Sequence, residues 1–160
     1  MGLFGKSRKE LLEWQNMIIA TPINRLVMTE AQLKKASYQS AENSMRIMND
    51  SARICEKTKK PDVFFSRYAL LLEHVKQLVK LSKYVKFSGT TPQAVLRQAI
   101  EERPIAIREL IDRCIEDAEA LKTDSARRKR YSKILMDFSE YRNEMDEDNW
   151  NYLESICGSK

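Results

Sequence analysis

One histidine, His74, and three cysteines, Cys55, Cys114 and Cys157, set the limits on the chemistry this chain can do. A lone histidine removes most histidine-based constellations. His74 follows Glu73 and lies one residue from the apolar position Val75, which marks it as a boundary or surface residue. No cysteine or second histidine stands at zinc-ligand spacing from it. The paired Glu-x-x-His of di-iron helix bundles is absent. The cysteines fall on or beside apolar positions, where cysteine acts as a small buried hydrophobe, and no base partner can be named for any of them. Asp112, Glu116 and Glu119 form an acidic line at steps of four and three, with Arg108 and Arg113 near enough to offset it. Glu144, Asp146, Glu147 and Asp148 lack the glycine and regular ligand spacing of a calcium loop. There is no Gly-rich phosphate loop and no nucleophile elbow. The chain reads as non-catalytic, with no metal or cofactor.

Phosphate binding is the other chemistry to weigh. The net charge is +5, and it is unevenly spread. Residues 1–100 carry 17 Lys/Arg against 8 Asp/Glu, whereas residues 101–160 carry 11 against 15. Arg127-Arg128-Lys129-Arg130 with Lys133 is the densest basic patch. Successive helical residues turn by ~100°, so these side chains cannot share one groove-facing stripe. Arg128, Lys129 and Lys133 are the candidate phosphate contacts, while Arg127 lies on an apolar seam and lays its stem along it. Residues 1–20 put Lys6, Arg8 and Lys9 beside Leu11, Trp14 and Ile18, a pattern able to rest on an anionic membrane. The sixth position, where a myristoylation signal wants Ser or Thr, is Lys6. Docking of Trp14 on the rest of the protein is the favoured reading, since helices of a bundle carry the same stripe.

The elements that carry these residues are helical throughout. Residues 7–20 form a short helix ending near Pro22. Thr29 and Gln32 make a capping box, followed by Ala31 and, after a gap at Lys34, Tyr38, Ala41, Met45, Met48, Ala52 and Cys55 at three- and four-residue steps. Ile47 and Ile54 flank that stripe. Pro61 ends this helix and opens the next, which runs to Ser88 with Phe64, Tyr68, Leu71, Val75, Leu78 and Val85 on its seam. Gly89 suits the left-handed position beyond it. Thr91-Pro92 starts a further helix, and Pro104 is expected to break or kink it around Glu102-Arg103. Ile107, Ile111, Cys114, Ala118 and Leu121 continue the apolar pattern. Thr123 to Ser125 caps a helix bearing Tyr131, Ile134, Phe138 and Met145, and Asp146 or Asp148 caps a last one with Trp150, Leu153 and Cys157. The expected fold is all-α: a helical bundle built on a long antiparallel αα-hairpin, residues 29–88, with shorter helices from 91 to 157 packed on it. Residues 1–28 form a separate N-terminal element and 29–160 one domain.

Pro61-Asp62-Val63-Phe64-Phe65-Ser66-Arg67-Tyr68, Lys86-Phe87-Ser88-Gly89-Thr90, Ile111-Asp112-Arg113 and Asn151-Tyr152-Leu153-Glu154 resemble a recurring helical module of bacterial hypothetical proteins, some of them phage- or mobile-element-associated. The resemblance covers about residues 61–157. It implies a cytoplasmic bacterial all-helical protein and supplies no site, since that module has no assigned activity. An odd number of scattered cysteines also fits a reducing cytoplasm. The expected function is a protein-interaction or structural role through exposed helix faces. Nucleic-acid binding through the basic first hundred residues is the alternative. Met45, Ile47, Met48 and Ile54 are the candidate interaction surface, with a second copy of the chain, as a homodimer, the expected partner.

Overall fold

The computed structural model describes residues 5–158, so Met1 to Phe4 of the basic N-terminal segment lie outside the described residues. Six helices make an all-α bundle: α1 (Arg8–Ile18), α2 (Glu30–Lys57), α3 (Pro61–Leu81), α4 (Pro92–Glu119), α5 (Asp124–Ser139) and α6 (Glu147–Cys157). No strand occurs among the described residues, and no helix there is long and apolar enough to cross a membrane. Each start has a local cause. Ser7 with Glu10, and Thr29 with Gln32, form reciprocal capping boxes. Thr91, Thr123 and Asp146 accept from the backbone N–H three residues on. Asp146, not Asp148, is thus the cap of α6.

The long hairpin is present, with α2 antiparallel to α3 across the short Thr58–Lys60 link. Cys55 at one end meets the Phe64 carbonyl, and Ser44 near the middle meets His74. Its seam differs from the expected one. The buried positions of α2 are Leu33, Ser37, Ala41, Ser44, Ser51 and Cys55, with Met48 half-buried between them. Tyr38 and Met45 are 45% and 42% exposed. The face that packs on α3 is therefore turned toward the serines, which no apolar count registers. Phe64, Tyr68, Leu71, Val75, Leu78 and Leu81 of α3 fill the space these small residues leave.

Three further expectations need correcting. The helix expected to reach Ser88 ends at Leu81, and a turn then carries the buried Val85. Gly89 does take the left-handed conformation, at φ +82°. Pro104 breaks nothing: α4 runs through it for 28 residues, matching α2, so the C-terminal helices are not uniformly short. A proline inside a helix removes one N–H and crowds the preceding turn, at a cost of about 3 kcal/mol. Neighbours hold the backbone here. Asn149, 2% exposed, donates from Nδ2 to the Pro104 carbonyl at 2.8 Å, Arg103 donates to the Glu144 carbonyl, and the Tyr68 hydroxyl donates to the carbonyl of Ala99.

The main core gathers Phe64, Phe65, Ile107, Leu110, Ile111, Ile115, Tyr131, Phe138 and Leu153 between α3, α4, α5 and α6. A smaller one joins Ala41, Leu78 and Leu81 to Met17, Met48 and Phe87. Trp14 closes that end. It is 2% exposed, stacks on Tyr84 with ring centroids 4.8 Å apart, and donates its indole N–H to Ser37 at 2.8 Å. Gln15 is fully buried and holds the following loop, donating to the Arg25 carbonyl and accepting from Val27 and Met28. Residues 7–28 are thus docked on the hairpin.

The serine seam predicts opposite effects from one substitution type. Ser37→Ala strands the buried indole N–H of Trp14 and should lower unfolding free energy by about 1–3 kcal/mol. Ser51 Oγ is buried with no hydrogen-bond partner among the described residues, so Ser51→Ala should raise it by about 1 kcal/mol. Urea titration of the two variants against the parent decides both signs.

Candidate protein-interaction groove

Both α2 and α4 run antiparallel to α3, and so parallel to each other. Gln93 at the start of α4 reaches Ser82 at the end of α3, and Ala99 lies against Tyr68. Between α2 and the first half of α4 a groove of about 470 Å³ remains open. Tyr68 and Leu71 of α3 form its floor. Met48, Ala52 and Cys55 stand on the α2 wall, and Val95, Ala99, Ile105 and Ala106 on the α4 wall. Ile105 is 59% exposed. Glu56, Glu102 and Glu109 edge the groove.

The α4 wall is positioned by contacts to α3 and α6. Tyr68 grips the Ala99 carbonyl, and the Arg103 guanidinium lies 5.7 and 5.8 Å from the ring centres of Phe65 and Tyr68. Burial raises the Tyr68 hydroxyl pKa, against a smaller lowering by Arg103, so the hydroxyl stays a donor through the neutral range. On α6, Asn149 bridges Pro104, Arg108 and Asp146, and the Arg108 guanidinium lies 3.8 Å from the Tyr152 ring centre. Tyr152 in turn donates to Asp112 at 2.6 Å, a bond that, ahead of burial, raises its pKa. Tyr68 thus holds the α4 wall from the groove floor, while Asn149 and Tyr152 hold α4 from the α6 side.

The proposed interaction residues divide. Met48 lines the groove, and Met45 sits one turn before it, 42% exposed. At about 100° per residue, Ile47 and Ile54 fall on the opposite flank of α2 from Met45, and both are half-buried. The four do not form one surface. Val95, Ile105, Glu56, Glu102 and Glu109 were missed. The signal for Val95, Glu102 and Glu109 is a second 3-4 pattern, Val95, Ala99, Glu102, Ala106 and Glu109, which a break at Pro104 cuts in two.

The phosphate candidates also divide. Arg128 and Lys129 are exposed on α5, but Lys133 pairs with Asp137 at 2.8 Å. It borders a larger cleft of about 610 Å³ between the start of α3, α4 and α5. Lys59, Lys60, Arg130 and Lys133 there face Asp62, Asp117, Asp137 and Glu140, and Lys59 pairs with Asp117 at 2.6 Å. The lining neutralises itself and offers little to an anion. Arg127 is held by the Leu121 carbonyl and Asp124.

The acidic line is likewise used locally: Asp112 by Tyr152 and Glu119 by Tyr131. No group of three His, Cys, Asp or Glu among the described residues could hold a metal ion. The three cysteines are buried, and none forms a disulfide among the described residues. No protein family, curated protein or solved structure matches the chain.

Burial pushes the Cys55 and Cys114 thiols up from 9.0 to about 11, outweighing the nearby Arg113. A raised pKa favours the folded state while the thiol is protonated. That contribution is whole below pH 9 and is lost as pH climbs from 9 toward 11. The urea midpoint should fall across this window, less steeply in Cys55→Ala, and Ellman's reagent at pH 8 should find no fast thiol until the chain is unfolded.

Proposed function

We propose that this chain is a non-catalytic interaction protein that receives an apolar helix of a partner protein in the groove between α2 and α4. The observation that supports this is the groove itself, with an apolar floor and walls set by two parallel helices and an exposed Ile105 left at its edge. Helix-in-groove recognition needs such a trough and anchors at three- and four-residue steps. From Val95 to Glu109 the wall spans 15 residues, about 21 Å of axis, which suits a partner helix of roughly four turns. A volume of about 470 Å³ falls within the range of binding cavities, and its few polar groups sit at the edge, as recognition sites place them. A docked helix would cover Ile105 and Met48 and shield the floor residues Tyr68 and Leu71 from water.

The check is a titration of the methyl-labelled chain with a designed helical peptide of about 14 residues carrying a leucine stripe between uncharged flanks. Shifts should concentrate on the methyl groups of Met48, Ala52, Val95, Ala99, Ile105 and Ala106. Ile105→Glu, at an exposed position, should leave the helical spectrum unchanged and weaken binding about tenfold, since one anchor side chain is worth about 1.5–3 kcal/mol when fully covered and less at an edge. Absence of binding, or shifts scattered over other faces, would count against the reading.

A further inference from the structure

We infer that the helix this groove accepts is cationic, with Lys or Arg flanking its apolar stripe on both sides. The inference rests on the groove reading above and adds the sign of the partner's charge. The chain carries a net +5, yet the groove is lined by Glu56 on the α2 wall, Glu102 and Glu109 on the α4 wall, and no Lys, Arg or His. All three carboxylates are exposed, and none is in an ion pair among the described residues. Among the described residues Glu102 alone of the three accepts a side-chain hydrogen bond, from the Gln98 amide at 3.0 Å. In the larger cleft, by contrast, Lys59 and Lys133 are taken up by Asp117 and Asp137. The charged lining of this groove is therefore wholly negative, whereas that of the larger cleft is balanced.

The placement also decides the pattern required. Glu102 and Glu109 stand two turns apart on one wall and Glu56 stands on the other, with apolar floor between. A helix lying in the trough puts its apolar stripe down and its two flanks against these carboxylates. Lysine and arginine suit the flanks, because their long stems can cover apolar surface while the charge stays at the wet edge. An acidic flank would meet like charge, and an uncharged one would draw water off the carboxylates without replacing it. A second copy of the chain fits poorly. Its exposed basic helix, α5 with Arg128 and Lys129, shows one strongly exposed apolar side chain, Met136 at 63%, too little to fill the floor.

The test uses the full chain and three designed peptides of about 16 residues with the same leucine stripe and flanks of lysine, glutamine or glutamate. Binding is read by fluorescence anisotropy at low and high salt. The lysine peptide should bind about tenfold tighter than the glutamine peptide at low salt, the sum of a few exposed pairs. Salt should close the gap. In a Glu56→Lys, Glu102→Lys, Glu109→Lys variant with unchanged helical spectrum, the glutamate peptide should become the preferred one. If that variant does not fold, Glu109→Gln alone should still cut the lysine advantage about two- to threefold. Equal binding of lysine and glutamine peptides would overturn the charge assignment and leave the groove reading standing. No binding by any peptide would overturn both. A chain that runs as a dimer, with its groove methyls shielded in the dimer, would also overturn the inference by making the second copy the occupant.

Discussion

Small side chains on one helix facing large ones on the next are the constraint from which the rest of this bundle follows. Over the length of the hairpin, α2 offers Ser37, Ala41, Ser44, Ser51 and Cys55, and α3 answers with Phe64, Tyr68, Leu71, Val75 and Leu78. Helices come closer where their contact residues are small, and α3 supplies the large aromatic and aliphatic side chains opposite them. The arrangement has a polar cost, because each buried hydroxyl must find a partner. Ser37 meets it by accepting from Trp14 and donating to the Leu33 carbonyl. Ser44 meets it through His74. Ser51, one heptad further on, does not. The same repeated residue thus anchors α1, joins α2 to α3, and leaves one place where the seam is unsatisfied.

That seam also decides which side of α2 stays free. With the serines turned inward, Tyr38, Met45 and Ala52 are carried toward α4, whose first half does not close on them. Here the proline matters. A helix broken at Glu102-Arg103 would not carry Val95 to Glu109 along one continuous wall. Instead α4 continues through Pro104 without a break, held by Tyr68 from α3 and Asn149 from α6. One stiff wall stands beside another with a gap between them. The groove is a consequence of two packing facts, the rotation of α2 on α3 and the continuity of α4.

The helical class, the hairpin and most caps are legible in the residues alone, because capping hydroxyls, Pro61, Pro92 and Gly89 act over three or four positions. The rotation of α2 is not. A count of apolar residues gives Ala31, Tyr38, Met45 and Ala52 the same weight as Ala41, Met48 and Cys55, and only a partner's shape shows that serine is preferred at the contact. Pro104 misleads for the same reason: its local effect is real, but the groups that offset it come from residues 36 positions upstream and 45 downstream. The groove inherits both errors. Met48 was reachable from the pattern on α2, whereas Val95, Glu102, Ile105 and Glu109 form a face only if the helix is continuous. Arg128 and Lys129 sit on the solvent side as their spacing implies, but the pairing of Lys133 with Asp137 depends on which way a long side chain turns.

Charge shows how far composition can mislead about a site. The excess of Lys and Arg in the first hundred residues suggests a surface for anions, and the acidic last part suggests the reverse. In the folded chain neither half acts as a block. Lys59 crosses to Asp117, Arg113 turns inward to the carbonyls of Cys55 and Thr58 at the end of α2, and Arg103 and Arg108 lie over aromatic rings. Each of these basic groups is committed to holding one helix end or face to another. The carboxylates of Glu56 and Glu109 have no such task, and they border apolar surface. A field that steers a partner is made by the charges left after folding has used the others, and along this groove those charges are negative.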